Sequence, residues 1–417
     1  MVPYKKYSTL LGLYVAQSIP MSFFATVVPV IMRQENYSLE SIGLLQLIKL
    51  PWILKFLWAP MVDRYSPTIR HYRRWIVASE IFYALIIFGI GFFSLSTDFR
   101  TIIILLLAAF VLSATQDIAT DAFAIKILRP KQRGFGNSMQ SSGNFLGTMI
   151  GGGLLMMLYP TLHWQGVIYL LCGVVLVALL PLILFTRKEP PELLDRTSSS
   201  SRPVHWKAVP TFFTQPGMWK RVILVSIFYS GIIGMLAMFK PFMVDLGFSF
   251  TKIAFISGIL GTGVGVICAL AAGWLIKRWG NRKMLVRVAA FNLLGPAFFI
   301  LFERLSLGEE WIYLGSVLLW GGYGMSTTII YTICMNAVRK GLEGTDYSIQ
   351  IVLTHISGLF MAVMSGKIGD ALGYTGLFSI ELMIGVVVLL VVGRLYHDPS
   401  CRSSMLSNSE PLAKTGS

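Results

Sequence analysis

Asp117 and Asp121 stand four residues apart in an otherwise apolar run, so on a helix they share one face, and Ser113 precedes them on the same stripe. An ionised carboxylate in hydrocarbon is expensive, and such a residue faces a cavity or a partner. Two acids on one stripe, with Gln116 beside them, suit proton uptake or contact with a polar solute. The run begins near Thr101, and at about 1.5 Å per residue Asp117 falls in the far half of the crossing. Asp121 lies one turn further, within reach of a structural pairing with Arg64. Asp117 is the better candidate for proton coupling or solute contact.

Other polar residues are spread through the apolar runs. Glu80 and Glu381 could each carry a proton or serve as an ion-pair partner. Lys49 and Lys55 are six apart and project from different faces. Lys49 is the deeper, beside Pro51 and about one turn after Gln46, and suits an anionic solute group or an ion pair. Lys55 is expected to snorkel toward headgroups, as is Lys240. Gln17, Gln140, Asn144, Gln350 and His355 either line a polar cavity or act as hydrogen-bonding glue between helices. Gly143, Gly147 and Gly151 recur every four residues and give one helix a flat packing face.

The elements that must position these residues follow from composition. The 417 residues are 55% hydrophobic and 13% charged, with mean hydropathy +0.68. Soluble domains carry about 25% charged residues, so most of this surface faces lipid. Irregular backbone cannot face lipid, so the long apolar runs are helices. Spans are predicted at 8–32, 41–61, 75–95, 101–125, 135–158, 165–186, 219–243, 251–276, 284–302, 311–336, 347–369 and 374–395. The first is too long for a signal-peptide core and reads as uncleaved. Of 35 Lys and Arg, 27 fall on one set of loops and tails, five on the opposite loops and three within spans. That bias predicts both termini in the cytoplasm of a bacterial inner-membrane protein.

The net charge of +15 comes in short clusters between apolar runs, which speaks against nucleic-acid binding. The four cysteines form no CxxC pair, so neither a disulfide framework nor a metal site is indicated. No cofactor motif appears.

The organisation is two six-helix halves, 1–187 and 219–395, joined by a mobile cytoplasmic linker at 188–218 and followed by a disordered cytoplasmic tail at 396–417. A repeat supports it. Gly134-x-x-x-Ser138-x-Gln140 recurs as Gly344-x-x-x-Ser348-x-Gln350, Trp164-x-Gly166 as Tyr374-x-Gly376, and Ala59-x-x-x-Asp63-Arg64 as Gly273-x-x-x-Lys277-Arg278. Two parallel halves around a midplane site are an architecture of secondary transporters.

Three segments carry a family resemblance: Leu50 to Tyr65, Ser113 to Asp121, and Arg133 to Gln140 with Gly147 and Gly151–Gly153 downstream. They resemble the AmpG-related permeases of the major facilitator superfamily, specifically over the first six spans and only generally over the rest. The resemblance implies an all-α integral membrane protein of the major facilitator fold, with 12 transmembrane helices. It implies proton-driven import of a bulky polar solute by alternating access. The family's solutes include siderophores and anhydromuropeptides, and its eukaryotic relatives carry acetyl-CoA. Arg133–Gln140 looks closer to the siderophore branch, and the muropeptide permeases commonly carry helices beyond twelve, so a siderophore is the first expectation and an anhydromuropeptide the second. Asp63-Arg64 resembles the family's cytoplasmic gate motif, with Lys277-Arg278 as a repeat in which a lysine replaces the acid. The expected partners are the solute, protons and the bilayer, with the chain a monomer.

Other classes fare worse. No HExxH, nucleophile elbow or Gly-rich phosphate loop suggests a membrane-embedded enzyme, and the two-fold repeat disfavours a channel or receptor. No ATP-binding domain is present, so an ion gradient is the expected energy source.

Overall fold

The computed structural model describes residues 3–35, 37, 45–95, 97–187 and 206–395, and all regular structure in them is helical. Among the described residues, seven helices are long and apolar enough to cross a membrane. Three of them, Pro130–Leu184, Thr251–Arg304 and Glu343–Arg394, run 55, 54 and 52 residues. Straight helices of that length would reach about 80 Å, against a hydrocarbon core of about 30 Å. Each is broken where one residue takes a positive φ: His163 (52°), Gly280 (77°) and Gly373 (68°). These breaks fall in the gaps that hydropathy leaves at 159–164, 277–283 and 370–373.

The predicted second span, 41–61, differs from a simple helix. Residues 41–44 lie outside the described residues. The rest is a chain of short pieces: 3-10 turns at Gln46–Lys49 and Lys55–Leu57, and helices at Leu50–Leu54 and Ala59–Arg64. Pro51 and Pro60 have no N–H to donate back along the helix, which breaks its ladder twice. The break turns Lys55 inward, where it is 1% exposed.

The helix Arg133–Thr148 is the central strut. A Cβ on Gly147 would sit 2.4 Å from Ser18 Cβ, and one on Gly151 would sit 2.1 Å from the Ile19 carbonyl, so this stripe fits only against the first helix, Pro3–Ser22. Its other face meets the helix Gly261–Phe291 of the second half, with Gly134 against Ile276 and Gly273 against Ser138.

The apolar core is unevenly divided. At the end carrying the basic loops (Arg64, Lys126, Arg133, Arg339), one cluster runs through both halves, from Tyr14, Tyr72 and Phe123 to Leu285, Ile330 and Tyr347. Two other clusters each stay within one half: Phe24, Phe110 and Leu171 in the first, and Phe242, Phe299 and Phe378 in the second. The halves therefore share a buried apolar core at the basic end, and away from it they meet mainly along the central strut, where Phe145 lies against Gly265 and Tyr323.

The segment expected to be a linker is only partly described, since 188–205 lie outside the described residues, as does the tail 396–417. Ala208–Phe213 is a short helix docked on the basic end. Phe212 is fully buried, packed with Met218, Ile349, Leu353 and, from the first half, Phe56. Arg339 holds the helix through the Ala208 carbonyl (2.8 Å) and the Thr211 hydroxyl (3.0 Å), so this part of the segment is fixed rather than free.

Candidate transport site and gate

Asp117 and Asp121 project from the helix Phe99–Ile127 toward the seam between halves, both almost fully buried. The Lys55 ammonium forms an ion pair with Asp117 Oδ2. Gln17 Nε2 donates to Asp117 Oδ1 at 2.6 Å. Asp121 Oδ1 accepts from the Tyr14 hydroxyl at 2.6 Å and from Gln140 Nε2 at 3.2 Å, while its Oδ2 has no partner among the described residues. The site is thus two carboxylates and one ammonium in a low-dielectric pocket. One ammonium balances one carboxylate, which leaves the other without a counter-charge of its own.

These groups line a cavity of ≈ 280 Å³ with Ser18, Asn144, Tyr331 and His355. Asn144 accepts from Ser18 Oγ at 2.9 Å. An adjoining cavity of ≈ 170 Å³ shares Tyr331 and His355 and is walled by Tyr229, Ile233, Tyr323 and Thr354. Its aromatic wall continues from Tyr323 to Phe145 and Trp320 at ring separations of 5.6 and 6.2 Å. The first half supplies charge and amides, and the second supplies aromatic faces and an exposed imidazole. A larger groove of ≈ 660 Å³, with Glu35, His163 and Trp164, lies elsewhere in the first half and shares no residue with either cavity.

Several expected residues lie apart from this site. Lys49 and Gln46 are exposed and line neither cavity. Lys55, expected to snorkel, takes the internal role because the broken second span turns it inward. Asp121 does not meet Arg64: its hydrogen bonds go to Tyr14 and Gln140, and Arg64 is exposed with its guanidinium 5.9 Å from the Tyr65 ring. Among the described residues, Glu80 is buried outside the cavities with Oε1 unpartnered, and Gln116 is fully buried with neither amide atom paired. Glu381 is fully buried in the second half, accepting from Ser365 and packed against Gly234. Gln350 Nε2 donates to the carbonyls of Asp346 (3.0 Å) and Cys334 (3.2 Å), tying helices together away from the cavities.

At the basic end, Asp63 crosses between halves. It accepts from the backbone N–H groups of Gly344 (3.0 Å) and Thr345 (2.7 Å), from the Thr345 hydroxyl (2.7 Å) and from the Tyr72 hydroxyl (2.7 Å). Gly344 and Thr345 open the long helix Glu343–Leu395, whose free N–H groups and dipole suit an anion. Burial pushes the Asp63 carboxyl up to about 6, against the pull of the Thr345 and Tyr72 donors. Arg133 adds bonds to the Met335 carbonyl (3.1 Å) and Asn336 Oδ1 (2.9 Å), and Lys126 approaches Glu343 at 3.5 Å. Lys277 and Arg278 are exposed, Arg278 lying over Trp274 of its own helix. Of the four expected gate residues, Asp63 alone is seen bonding across the halves. Sequence reasoning did not single out Tyr14, Tyr72, Thr345 or Tyr347, and it took Arg133 only as part of the segment Arg133–Gln140.

A helical membrane protein in two halves, with a polar site on the seam, has the architecture of a secondary transporter. The family model of the Major Facilitator Superfamily matches residues 10–362, and the chain belongs to that family. It is 25% identical over 393 residues to the anhydromuropeptide permease of Escherichia coli (strain K12), covering 92% of this chain and 79% of the permease. It is 24% identical over 407 residues to the putative transporter AmpG 3 of Rickettsia prowazekii (strain Madrid E), covering 93% and 94%. Among solved structures, a bacterial homologue of the iron transporter ferroportin in its outward-facing state matches with TM-score 0.69 at 16% identity, covering 94% of this chain and 99% of that one. A proton:xylose symporter matches with TM-score 0.66 at 13% identity, covering 93% and 94%. The protein is a multi-pass transporter with an AmpG-like sequence.

Proposed function

We propose that this chain imports a bulky polar solute by proton symport across a bacterial inner membrane, with an anhydromuropeptide as the solute. In this reading it is a monomer of twelve spans with the basic end and both termini in the cytoplasm. The observation that carries it is the Lys55–Asp117–Asp121 set in a cavity on the seam, in a bundle whose large apolar core runs through both halves at the basic end while the cores beyond the cavity stay within one half each. That is a site closed from the cytoplasm and poised to load from outside. Proton binding to the helix acid discharges the site, the halves rock, and the Asp63 clamp releases.

Cavity chemistry supports the solute class. Amides at Gln17 and Asn144 and the His355 imidazole suit peptide groups, while Tyr229 and Tyr323 offer flat faces for a sugar ring. The similarity to the Escherichia coli permease points the same way. The siderophore expectation rested on the helices beyond twelve that muropeptide permeases commonly carry and on Arg133–Gln140. Arg133 and Asn137 bond to Met335 across the halves, and Gln140 alone of that segment lines the cavity, so the segment does not discriminate between solutes.

The test is uptake into proteoliposomes under an imposed pH gradient, offering labelled anhydromuropeptide and ferric siderophores in parallel. Accumulation of the anhydromuropeptide supports the reading. Accumulation of a siderophore alone overturns the solute, and uptake indifferent to the gradient overturns the coupling.

A further inference from the structure

The Asp63 clamp and the Asp121 carboxylate are joined by hydrogen bonds through Thr345, two residues of backbone, Tyr347 and Gln140. Tyr347 is fully buried on the helix Glu343–Leu395, two residues past the Thr345 that Asp63 holds. Its hydroxyl crosses to the first half and donates to Gln140 Oε1 at 3.0 Å. With its oxygen so occupied, Gln140 presents Nε2 to Asp121 Oδ1 at 3.2 Å. An amide N–H stabilises a carboxylate more than the neutral acid, whose oxygens are weaker acceptors and whose new O–H calls for an acceptor instead. The other groups facing this acid are Tyr14 on the first helix, Asp117 on its own helix, Lys55 from the second span and Tyr331 from the second half; His355 faces the Lys55–Asp117 pair.

We propose that Tyr347 is a positioning residue that couples the gate to the proton site, holding the Gln140 amide toward the Asp121 carboxylate while the basic end is closed. The inference rests on the proton-driven reading above. When the clamp opens, the Gly344–Tyr347 segment leaves the first half and Gln140 loses its anchor. The amide is then free to turn its oxygen to Asp121, which suits the protonated acid. By reciprocity, protonation of Asp121 weakens the chain and eases opening.

Tyr347→Phe removes the hydroxyl and keeps the ring. Uptake of labelled anhydromuropeptide is measured against external pH in proteoliposomes, beside solute counterflow without a gradient. The expected result is retained counterflow with the pH midpoint of driven uptake raised by about 0.5–1 unit, because the carboxylate loses a fixed donor. Gln140→Leu, which cuts the chain in its middle, shifts the midpoint the same way. A merely structural role would lower the rate and leave the midpoint in place. A responsive wild type with both variants unshifted overturns the inference alone; a wild type indifferent to the gradient overturns the proton-driven reading and the inference with it.

Discussion

Replacing Asp63 with alanine removes the acceptor that ties the halves together at the basic end. Three of its four bonds cross between halves, from Gly344 N, Thr345 N and the Thr345 hydroxyl. Below about pH 6 burial holds the carboxyl largely neutral, and bonds to a neutral group are worth about 0.5–1.5 kcal/mol each, which places the loss at about 1.5–4.5 kcal/mol. That moves the closed-to-open equilibrium about tenfold or more toward open at pH 5. Spin labels at Lys131 and Lys340, exposed on opposite halves of the basic end, report this distance in a chain with its four cysteines replaced. The variant should show a new, longer distance population. An unchanged distribution would refute the assignment of Asp63 as the clamp.

The same carboxyl sets a pH dependence. Its value in the closed form lies above its solvent value, so the closed form holds more protons between about pH 4 and pH 6. Its contribution to closure is full at low pH and is lost as pH rises through about 6, so the long-distance population should grow across that window in the wild type and stay flat in Asp63→Ala. Lys55→Met leaves Asp117 buried without a counter-charge, and removing one partner of a buried pair costs about 3–5 kcal/mol, so thermal stability in detergent should drop markedly. Lys55→Met with Asp117→Leu should recover most of it. Gly151→Val drives a side chain against the Ile19 carbonyl and should abolish folded protein in the membrane, whereas Gly153→Val, where nothing lies within 4 Å, should be tolerated in expression trials. Arg339→Ala frees the helix Ala208–Phe213, which should become sensitive to protease while Arg278→Ala leaves it protected.

What was legible in the sequence is what repeats or costs energy locally. Asp117 and Asp121 stood out because charge in an apolar run is expensive, and the Gly143–Gly147–Gly151 stripe announced a close helix contact that Ser18 and Ile19 supply. The breaks at His163, Gly280 and Gly373 fell in hydropathy gaps. What stayed hidden depends on contacts across the chain. Asp63 meets Gly344 281 residues away, and no local pattern marks an anion at a distant helix start. Lys55 looked like a snorkelling lysine because a straight second span would carry it toward the headgroups. Pro51 and Pro60 break that span and turn Lys55 onto Asp117. Nothing in the sequence singles out Tyr14 or Tyr347, since a phenol in an apolar run declares its ring and not the partner of its hydroxyl.

The most direct test of the central claim is proton movement itself. Proteoliposomes holding a pH-sensitive dye are given anhydromuropeptide without an imposed gradient, for the wild type and for Asp117→Asn and Asp121→Asn. The account predicts acidification of the lumen on solute addition in the wild type and its loss in at least one variant that still performs counterflow. Acidification that survives in both variants, or solute entry in the wild type with no proton movement, would contradict it.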